Sequence, residues 1–570
     1  MPSLHWIGKD KVVNHHLDVP FRVLDHSYSF VDGVEATSPV NSGNKIIHGD
    51  NLLALKSLLP EYEGKVNCVY IDPPYNTGNE EWVYNDNVND PKIMKWLGSV
   101  VGKEAEDLTR HDKWLCMMYP RLKLLHKLLS DDGVIFISID DNEVAHLIIL
   151  MDEIFGSSNF IANLPTIMNL KGNQDQFAFA GTHEYTLVYS KNYNNTVFFD
   201  FIVEDEGLNE WDEDVIGFYK KGANLKSTGG NAPREKRPNL FFPILIEPNS
   251  NSLSMINDDE FKSLYDSEIK TFKDEELTKI ISKYELLGFK VVLPISDDLY
   301  MSWRWQRDTF VKAIEDVIVN NNTGRFTLYK KQRPSFGDLP TKKPKSLFYR
   351  PEYSSGNGTN QIKKIFGEKI FQTPKPMELL SDFIQISTLP NSIILDSFAG
   401  SGTTAHAVMN MNKKDGGNRK FILVEMEEYA NTITAERVKR VINGYADVEG
   451  TGGSFDYYTL GEALFTEEGL LNEAVGEATI RQYIFFTETQ EQCSEQIENN
   501  KYFLGEANDC SYYFYYNANK VTTLNFEFLS TILKKSSQYI IYADNCSIEQ
   551  KILQQQQIIF KKIPRDIARL

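Results

Sequence analysis

Cysteine is scarce and scattered: five residues in 570, at Cys68, Cys116, Cys493, Cys510 and Cys546, with no Cys-x-x-Cys pair. That spacing gives neither a disulfide framework nor a zinc knuckle, and it suits a reducing compartment. No apolar run approaches the roughly 18 residues needed to span a bilayer, and the first residues lack a basic-then-apolar signal. A cytoplasmic protein without membrane contact is therefore expected. The tandem His15-His16 has no acid or cysteine at ligand spacing, so no metal is expected. No Gly-x-x-x-x-Gly-Lys-Ser/Thr loop occurs, which excludes a nucleotide-driven motor of that kind within this chain. Positive charge is short as well: 60 Lys and Arg against 79 Asp and Glu leave a formal net charge of −19. What is present is ordinary globular material, 41% hydrophobic and 24% charged, long enough for about three or four domain-sized units.

The most informative residues are Asp72-Pro73-Pro74-Tyr75, which follow the apolar run Cys68-Val69-Tyr70-Ile71. An amino group on an aromatic ring is a poor nucleophile because its lone pair is delocalised. A site that gives both amino hydrogens an acceptor draws the nitrogen toward tetrahedral geometry. One carboxylate and one backbone carbonyl held inward by prolines can do this. An aromatic side chain beside them can stack on a base taken out of its helix.

A second motif is Asp396-Ser397-Phe398-Ala399-Gly400-Ser401-Gly402-Thr403-Thr404, after the apolar Ser392-Ile393-Ile394-Leu395 and before the helical stretch starting at Ala405. Strand, glycine turn and helix form a nucleoside-binding unit. Phe421-Ile422-Leu423-Val424-Glu425 adds a second buried strand ending in an acid about 20 residues on, where ribose hydroxyls are gripped. The full Gly-x-Gly-x-x-Gly of pyrophosphate cofactors is absent. Asp396 at the turn suits a cationic amino group better than a phosphate, which points to S-adenosylmethionine rather than NAD.

Together these residues resemble the amino-methyltransferases of DNA, specifically the beta class, in which the target-amine motif precedes the cofactor motif. Further matches are His48-Gly49-Asp50-Asn51, Ser130 to Ile139, His183 to Tyr189 and Phe371-Gln372-Thr373-Pro374-Lys375-Pro376. Leu4 to Lys9 with His15-His16 is similar to the start of modification (Mod) subunits of type III restriction systems. The resemblance covers about residues 1–200 and 345–435.

It implies an α/β, Rossmann-like fold with a mixed, mostly parallel seven-stranded sheet, circularly permuted, carrying an inserted target-recognition domain and a small C-terminal α/β domain. It implies site-specific methylation of adenine N6 in double-stranded DNA by base flipping. Catalysis would fall to Asp72, the Pro73 carbonyl, Pro74 and Tyr75. The cofactor would be held by Asp396, Phe398, Ala399, Gly400, Ser401, Gly402, Thr403 and Thr404, with Glu425 on the ribose, Asp50 on the adenine edge and Lys375 on the carboxylate. Ser397 stands where many relatives have proline. Asp at the first motif position favours adenine N6 over cytosine N4, which remains the alternative. So does a DNA-recognition subunit that guides a nuclease with little methylation of its own. A homodimer and a helicase-nuclease (Res-type) partner are what the type III resemblance implies, in a bacterial or archaeal cell with the protein associated with the nucleoid.

DNA contact needs local rather than total positive charge. Between 321 and 350 stand Arg325, Lys330, Lys331, Arg333, Lys342, Lys343, Lys345 and Arg350 against the single acid Asp338. A second patch runs from Lys220 to Arg237. Lys236, Arg237, Arg304, Arg307, Arg333, Lys342, Lys343 and Lys345 are the expected DNA contacts, with Trp303-Arg304-Trp305-Gln306-Arg307 able to read base edges.

The expected organisation is an arm over 1–44, catalytic parts over 45–200 and 351–445, target recognition over 201–350, and an interaction domain over 446–570. Strands are expected near 66–71, 134–139 and 185–189, and a helix from Trp114 to Leu129. Phe503, Tyr512 to Tyr516, Phe526 and Phe528 are expected to mark strands of the C-terminal piece.

Overall fold

The computed structural model describes all residues except 1–2, 32, 78–90, 102–108, 170, 173–177, 203–210, 267, 323–324, 334–340, 467, 490, 492–500 and 566–570. Cys493 and Asp338 fall outside the described residues. The chain divides into two compact units, Met1–Phe199 with Pro344–Leu570, and Asp200–Lys343.

The first unit is built on one sheet. In chain order its strands are β1 (Arg22–Val31), β2 (Val34–Ala36), β3 (Lys45–His48), β4 (Val66–Ile71), β5 (Leu129–Ile139), β6 (Phe160–Ile167), β7 (His183–Ser190), β8 (Ile393–Asp396), β9 (Lys420–Glu425) and β10 (Ser454–Ala463). They lie in the order β2-β1-β10-β3-β9-β8-β4-β5-β7-β6. The six from β10 to β5 are mutually parallel, and the pairs at both edges are antiparallel. The sheet therefore has ten strands, not seven. The three extra strands come from segments whose polar alternation hides them: β1 exposes much of one face, and β10 is recruited from beyond residue 445. Residues 1–44, expected as an arm, supply β1 and β2.

The inner strands are apolar throughout because both faces are covered, as parallel sheets require. Val69, Ile71, Ile135, Ile137, Leu395, Ile422 and Val424 share one core with helices α1 (Asn51–Tyr62), α2 (Arg110–Leu128) and α3 (Val144–Phe155). The α2 helix begins earlier than its apolar periodicity indicates because Thr109 and Asp112 form a reciprocal cap. Helices α4 (Met377–Ser387), α5 (Thr403–Asp415) and α6 (Glu436–Asn443) follow.

The C-terminal residues carry a separate four-stranded sheet over Phe503–Ala507, Cys510–Phe514, Gln538–Ala543 and Ile558–Lys562. Phe526 and Phe528 lie in a short helix instead of a strand, because Asn525 caps the turn by accepting from the Phe528 N–H. The Asp200–Lys343 unit has its own core around Leu225, Phe242, Ile244, Trp303, Phe310 and Leu328. No described helix is long and apolar enough to cross a membrane.

Candidate active site

Four adjacent parallel strands, β3, β9, β8 and β4, end at the same edge of the sheet. Their carboxyl ends carry His48-Gly49-Asp50, Glu425, Asp396 and Asp72 respectively. Parallel sheets bind ligands at that edge, and here each of the four strand ends delivers a buried or half-buried acid.

The glycine turn wraps Asp396. Its carboxylate accepts from the Phe398 N–H at 3.0 Å and from the Thr404 hydroxyl at 2.5 Å. Glu425 accepts from the Gly400 N–H at 2.7 Å and the Glu427 N–H at 3.0 Å. Burial pushes the Asp396 carboxyl up to about 7, against the opposing hydrogen bonds and with the neighbouring Asp72 adding to the rise. Burial likewise pushes Glu425 up to about 7.

The turn itself is braced from behind. Thr434 donates to the Gly400 carbonyl at 2.6 Å, and the buried Arg437 donates to the Ser401 and Thr403 hydroxyls at 2.9 and 2.7 Å. Asn51 donates to the Ser397 carbonyl and accepts from Arg121, tying the turn to α1 and α2. These anchors hold the turn although position 397 is not proline.

Gly402 has φ +78°, and a Cβ there would lie 3.0 Å from the Thr434 carbonyl oxygen. Gly402→Ala is expected to destabilise the protein by about 1–3 kcal/mol and to weaken cofactor binding. Urea unfolding and equilibrium binding measure the two effects.

Beside Asp396, the turn after β4 is fixed at both ends. Trp114, fully buried on α2, donates to the Pro74 carbonyl at 2.7 Å. Asn76, in the left-handed region at φ +58°, donates to the Arg110 carbonyl at 3.2 Å and to the Glu143 carboxylate. Lys375 Nζ lies 3.0 Å from Asp72, 3.1 Å from Glu184 and 2.6 Å from the Tyr75 hydroxyl, which itself donates to Glu184 at 3.0 Å.

Burial raises the Glu184 carboxyl, with Lys375 pulling the other way. Burial opposes the Lys375 charge, but Asp72 and Glu184 outweigh it and hold the ammonium above its usual value. Lys375 also lines the recess of Tyr70, Asp72, Phe398, Gly400 and Thr403. Its charge is paired with Asp72 and Glu184. Asp50 N-caps α1 by accepting from Leu53 and lines a second recess with His48, Gly49, Met426 and Glu428. An acid row, a glycine turn and two recesses fit a nucleoside with a cationic tail.

Sequence reasoning missed Glu184, whose place inside the matching stretch His183 to Tyr189 was the available signal. It also missed Trp114, expected only as the first residue of a helix. A third omission is the cluster of His111, Glu143 and His146, whose ligating atoms lie within 4.8 Å of one another. Its signals are the Glu143-x-x-His146 spacing and a histidine in the first turn of α2.

The basic residues expected on DNA divide in two. In the Asp200–Lys343 unit Arg333 is held by Asp214 and Asp316, and Arg307 by Asp258. Side-chain pairing across this unit, invisible in a linear count of bases, removes both from the set of unengaged cations. Lys236 donates to the Gly230 carbonyl. Arg237 and Arg304, both exposed, line one recess with Lys330. Burial and the nearby Arg304 both push the Lys330 ammonium down. Lys342 and Lys343 are exposed at the end of the unit, and Lys345 is exposed in the other. Trp303 is a core residue that donates to the Phe242 carbonyl.

Comparison with known proteins agrees with this geometry. A family model described as DNA methylase (N6_N4_Mtase) matches residues 66–436. The chain is 41% identical over 445 residues to the type III restriction-modification enzyme EcoPI Mod subunit of Escherichia phage P1, covering 75% of this chain and 64% of that subunit. It is 29% identical to the EcoP15I Mod subunit of Escherichia coli, again over 75% and 64%. With the type II methyltransferase M.KpnI of Klebsiella pneumoniae it shares 33% identity over 70% of this chain and 85% of that enzyme. The chain thus spans about 64% of the length of these two Mod subunits. With the family model covering well over half its residues, the chain belongs to the N6/N4 DNA methylase family.

Proposed function

We propose that this protein methylates N6 of adenine at a specific sequence in double-stranded DNA, using S-adenosylmethionine, as the modification subunit of a type III restriction-modification system. The observation that carries this reading is the placement of Asp72 and Asp396 at the ends of neighbouring strands β4 and β8. An acceptor for an amino group and an acid suited to a cationic cofactor are thereby side by side.

When bound, S-adenosylmethionine supplies an electrophilic methyl group on a sulfonium. The chain's residues do the rest by position and electrostatics. Asp72 and the Pro73 carbonyl take the two amino hydrogens of a flipped adenine. Tyr75, its hydroxyl fixed by Glu184, presents its ring to the base. Asp396 faces the cationic amino group and Glu425 the ribose hydroxyls. Methyl transfer to the amine would leave its nitrogen positively charged. The Asp72 carboxylate stabilises that charge until a proton leaves.

The Asp200–Lys343 unit is read as the target-recognition domain, inserted between the two motifs in a circularly permuted catalytic fold. Arg237, Arg304 and Lys330 supply its phosphate contacts. Arg237→Ala with Arg304→Ala should lower the slope of log affinity against log salt by about one per residue. Arg307→Ala should leave that slope unchanged, because Asp258 already engages its charge. A cytoplasmic homodimer acting with a Res-type helicase-nuclease completes the reading.

Single-molecule sequencing of genomic DNA from expressing cells tests the whole assignment. N6-methyladenine in one short motif supports it; N4-methylcytosine or no modification refutes the assigned substrate or the activity.

A further inference from the structure

We propose that His111, Glu143 and His146 form a binding site for a first-row divalent metal ion directly behind the target-amine turn. His111 stands in the first turn of α2, Glu143 immediately before α3 and His146 in its first turn. Their Nδ1 atoms lie 2.7 Å (His111) and 2.9 Å (His146) from the two oxygens of Glu143. The imidazole rings are tilted by 46° with centroids 4.9 Å apart.

Two imidazoles and one carboxylate converging from one side are a donor set for Fe²⁺, Co²⁺, Ni²⁺ or Zn²⁺. The two separations are those of hydrogen bonds, and they are also close to the about 3 Å between cis ligands of an octahedral ion with bonds of about 2.1 Å. Tetrahedral ligands would stand wider, at about 3.4 Å.

Burial makes the same point. The Glu143 side chain is 0% exposed, whereas those of His111 and His146 are 38% and 35% exposed. The Glu143 carboxylate, withdrawn from water, is compensated by hydrogen bonds with Asn76, His111 and His146, and an ion that replaces the two imidazole hydrogen bonds can enter from the solvent side of the rings. Asn76 donates its amide to Glu143, which orients the carboxylate as outer partners of metal ligands do. Asn76 directly follows Tyr75 and holds the left-handed end of the turn. A bound ion would draw Glu143 into a fixed position and, through Asn76, stiffen the turn that carries Asp72. That last consequence rests on the proposed methyl transfer; metal binding does not.

The test uses the full chain after chelation, titrated with Co²⁺ followed by visible absorption, and with Zn²⁺ followed by calorimetry. One equivalent per chain should bind, with Co²⁺ bands of nitrogen and oxygen ligation. His111→Ala and His146→Ala should each weaken binding by at least about 100-fold. Glu143→Gln, which can keep the hydrogen bond to Asn76, should do the same while remaining folded by circular dichroism. Absence of stoichiometric binding, or binding unchanged in the His111→Ala/His146→Ala double variant, overturns the site and leaves a histidine-carboxylate hydrogen-bond cluster. Coupling to the turn is read separately. Zn²⁺ should lower KM for DNA in the unmodified protein and not in His146→Ala. An unchanged KM, with binding intact, overturns the coupling alone. Absence of methylation with binding intact counts against the proposed function and not against the site.

Discussion

Asp72→Ala is expected to reduce single-turnover methyl transfer by about 10²–10³-fold or more, while S-adenosylmethionine affinity stays within a few-fold of normal. The residue's carboxylate faces the target side. The glycine turn, Asp396 and Glu425 make their hydrogen bonds without it. The protein should remain folded, because Lys375 keeps Glu184 and the Tyr75 hydroxyl as partners. Asp72→Asn is the informative companion. It retains an oxygen acceptor for one amino hydrogen but no charge for the developing cation, so its rate should fall between the two. Rapid-quench assays with labelled methyl donor on duplex DNA give the rates, and calorimetry gives the affinity. Methyl transfer at the normal rate in Asp72→Ala would sink the assigned mechanism. So would cofactor affinity lost in parallel with the rate.

Asp396 should control cofactor binding, and with a defined pH dependence. Its carboxyl is pushed up to about 7 by burial in the cofactor-free protein, so it is partly protonated at neutral pH. A cationic group entering beside it selects the ionised form, and binding therefore releases a proton. The sign follows. Affinity is full above about pH 7 and falls as pH drops through that value, approaching about tenfold per pH unit for one group. Glu425, also raised to about 7, steepens the fall if it ionises in the same step. Asp396→Asn should cost about 2–5 kcal/mol of binding, as loss of one partner of a buried charge pair does. Its residual binding should lose the part of the pH dependence due to Asp396. Calorimetry in buffers of different ionisation enthalpy counts the released protons. Affinity independent of pH between 6 and 8 in the unmodified protein would contradict this assignment.

Legibility in the sequence followed how local the determining forces are. The strand over 66–71 and the strand-turn-helix at 393–404 were readable because continuous apolar runs and a glycine turn fix their own backbone. Asp72, Asp396 and Glu425 were readable because each directly ends such a strand. Lys375 was readable as a site residue, but its partners were not. Its pairing with Asp72 and Glu184 joins segments about 300 and 190 residues apart. The partners of Arg307 and Arg333 were hidden in the same way: both count as positive in the sequence, and folding sets each against an acid. The outer strands β1 and β10 were hidden for a related reason. A half-exposed strand lacks the apolar continuity that marks a buried one, and its pairing partner lies over 400 residues away.

By itself the sequence determined the strand-ending acids, the glycine turn and the α/β character of the sheet, since these depend on local backbone preference and apolar continuity. Tertiary structure alone decided that Asp72 and Asp396 lie on neighbouring strands, that Lys375 ties Glu184 to Asp72, and that His111, Glu143 and His146 meet behind the turn. Such meetings depend on sheet order and helix packing, which come from burying the whole core at once. No short stretch of residues encodes them.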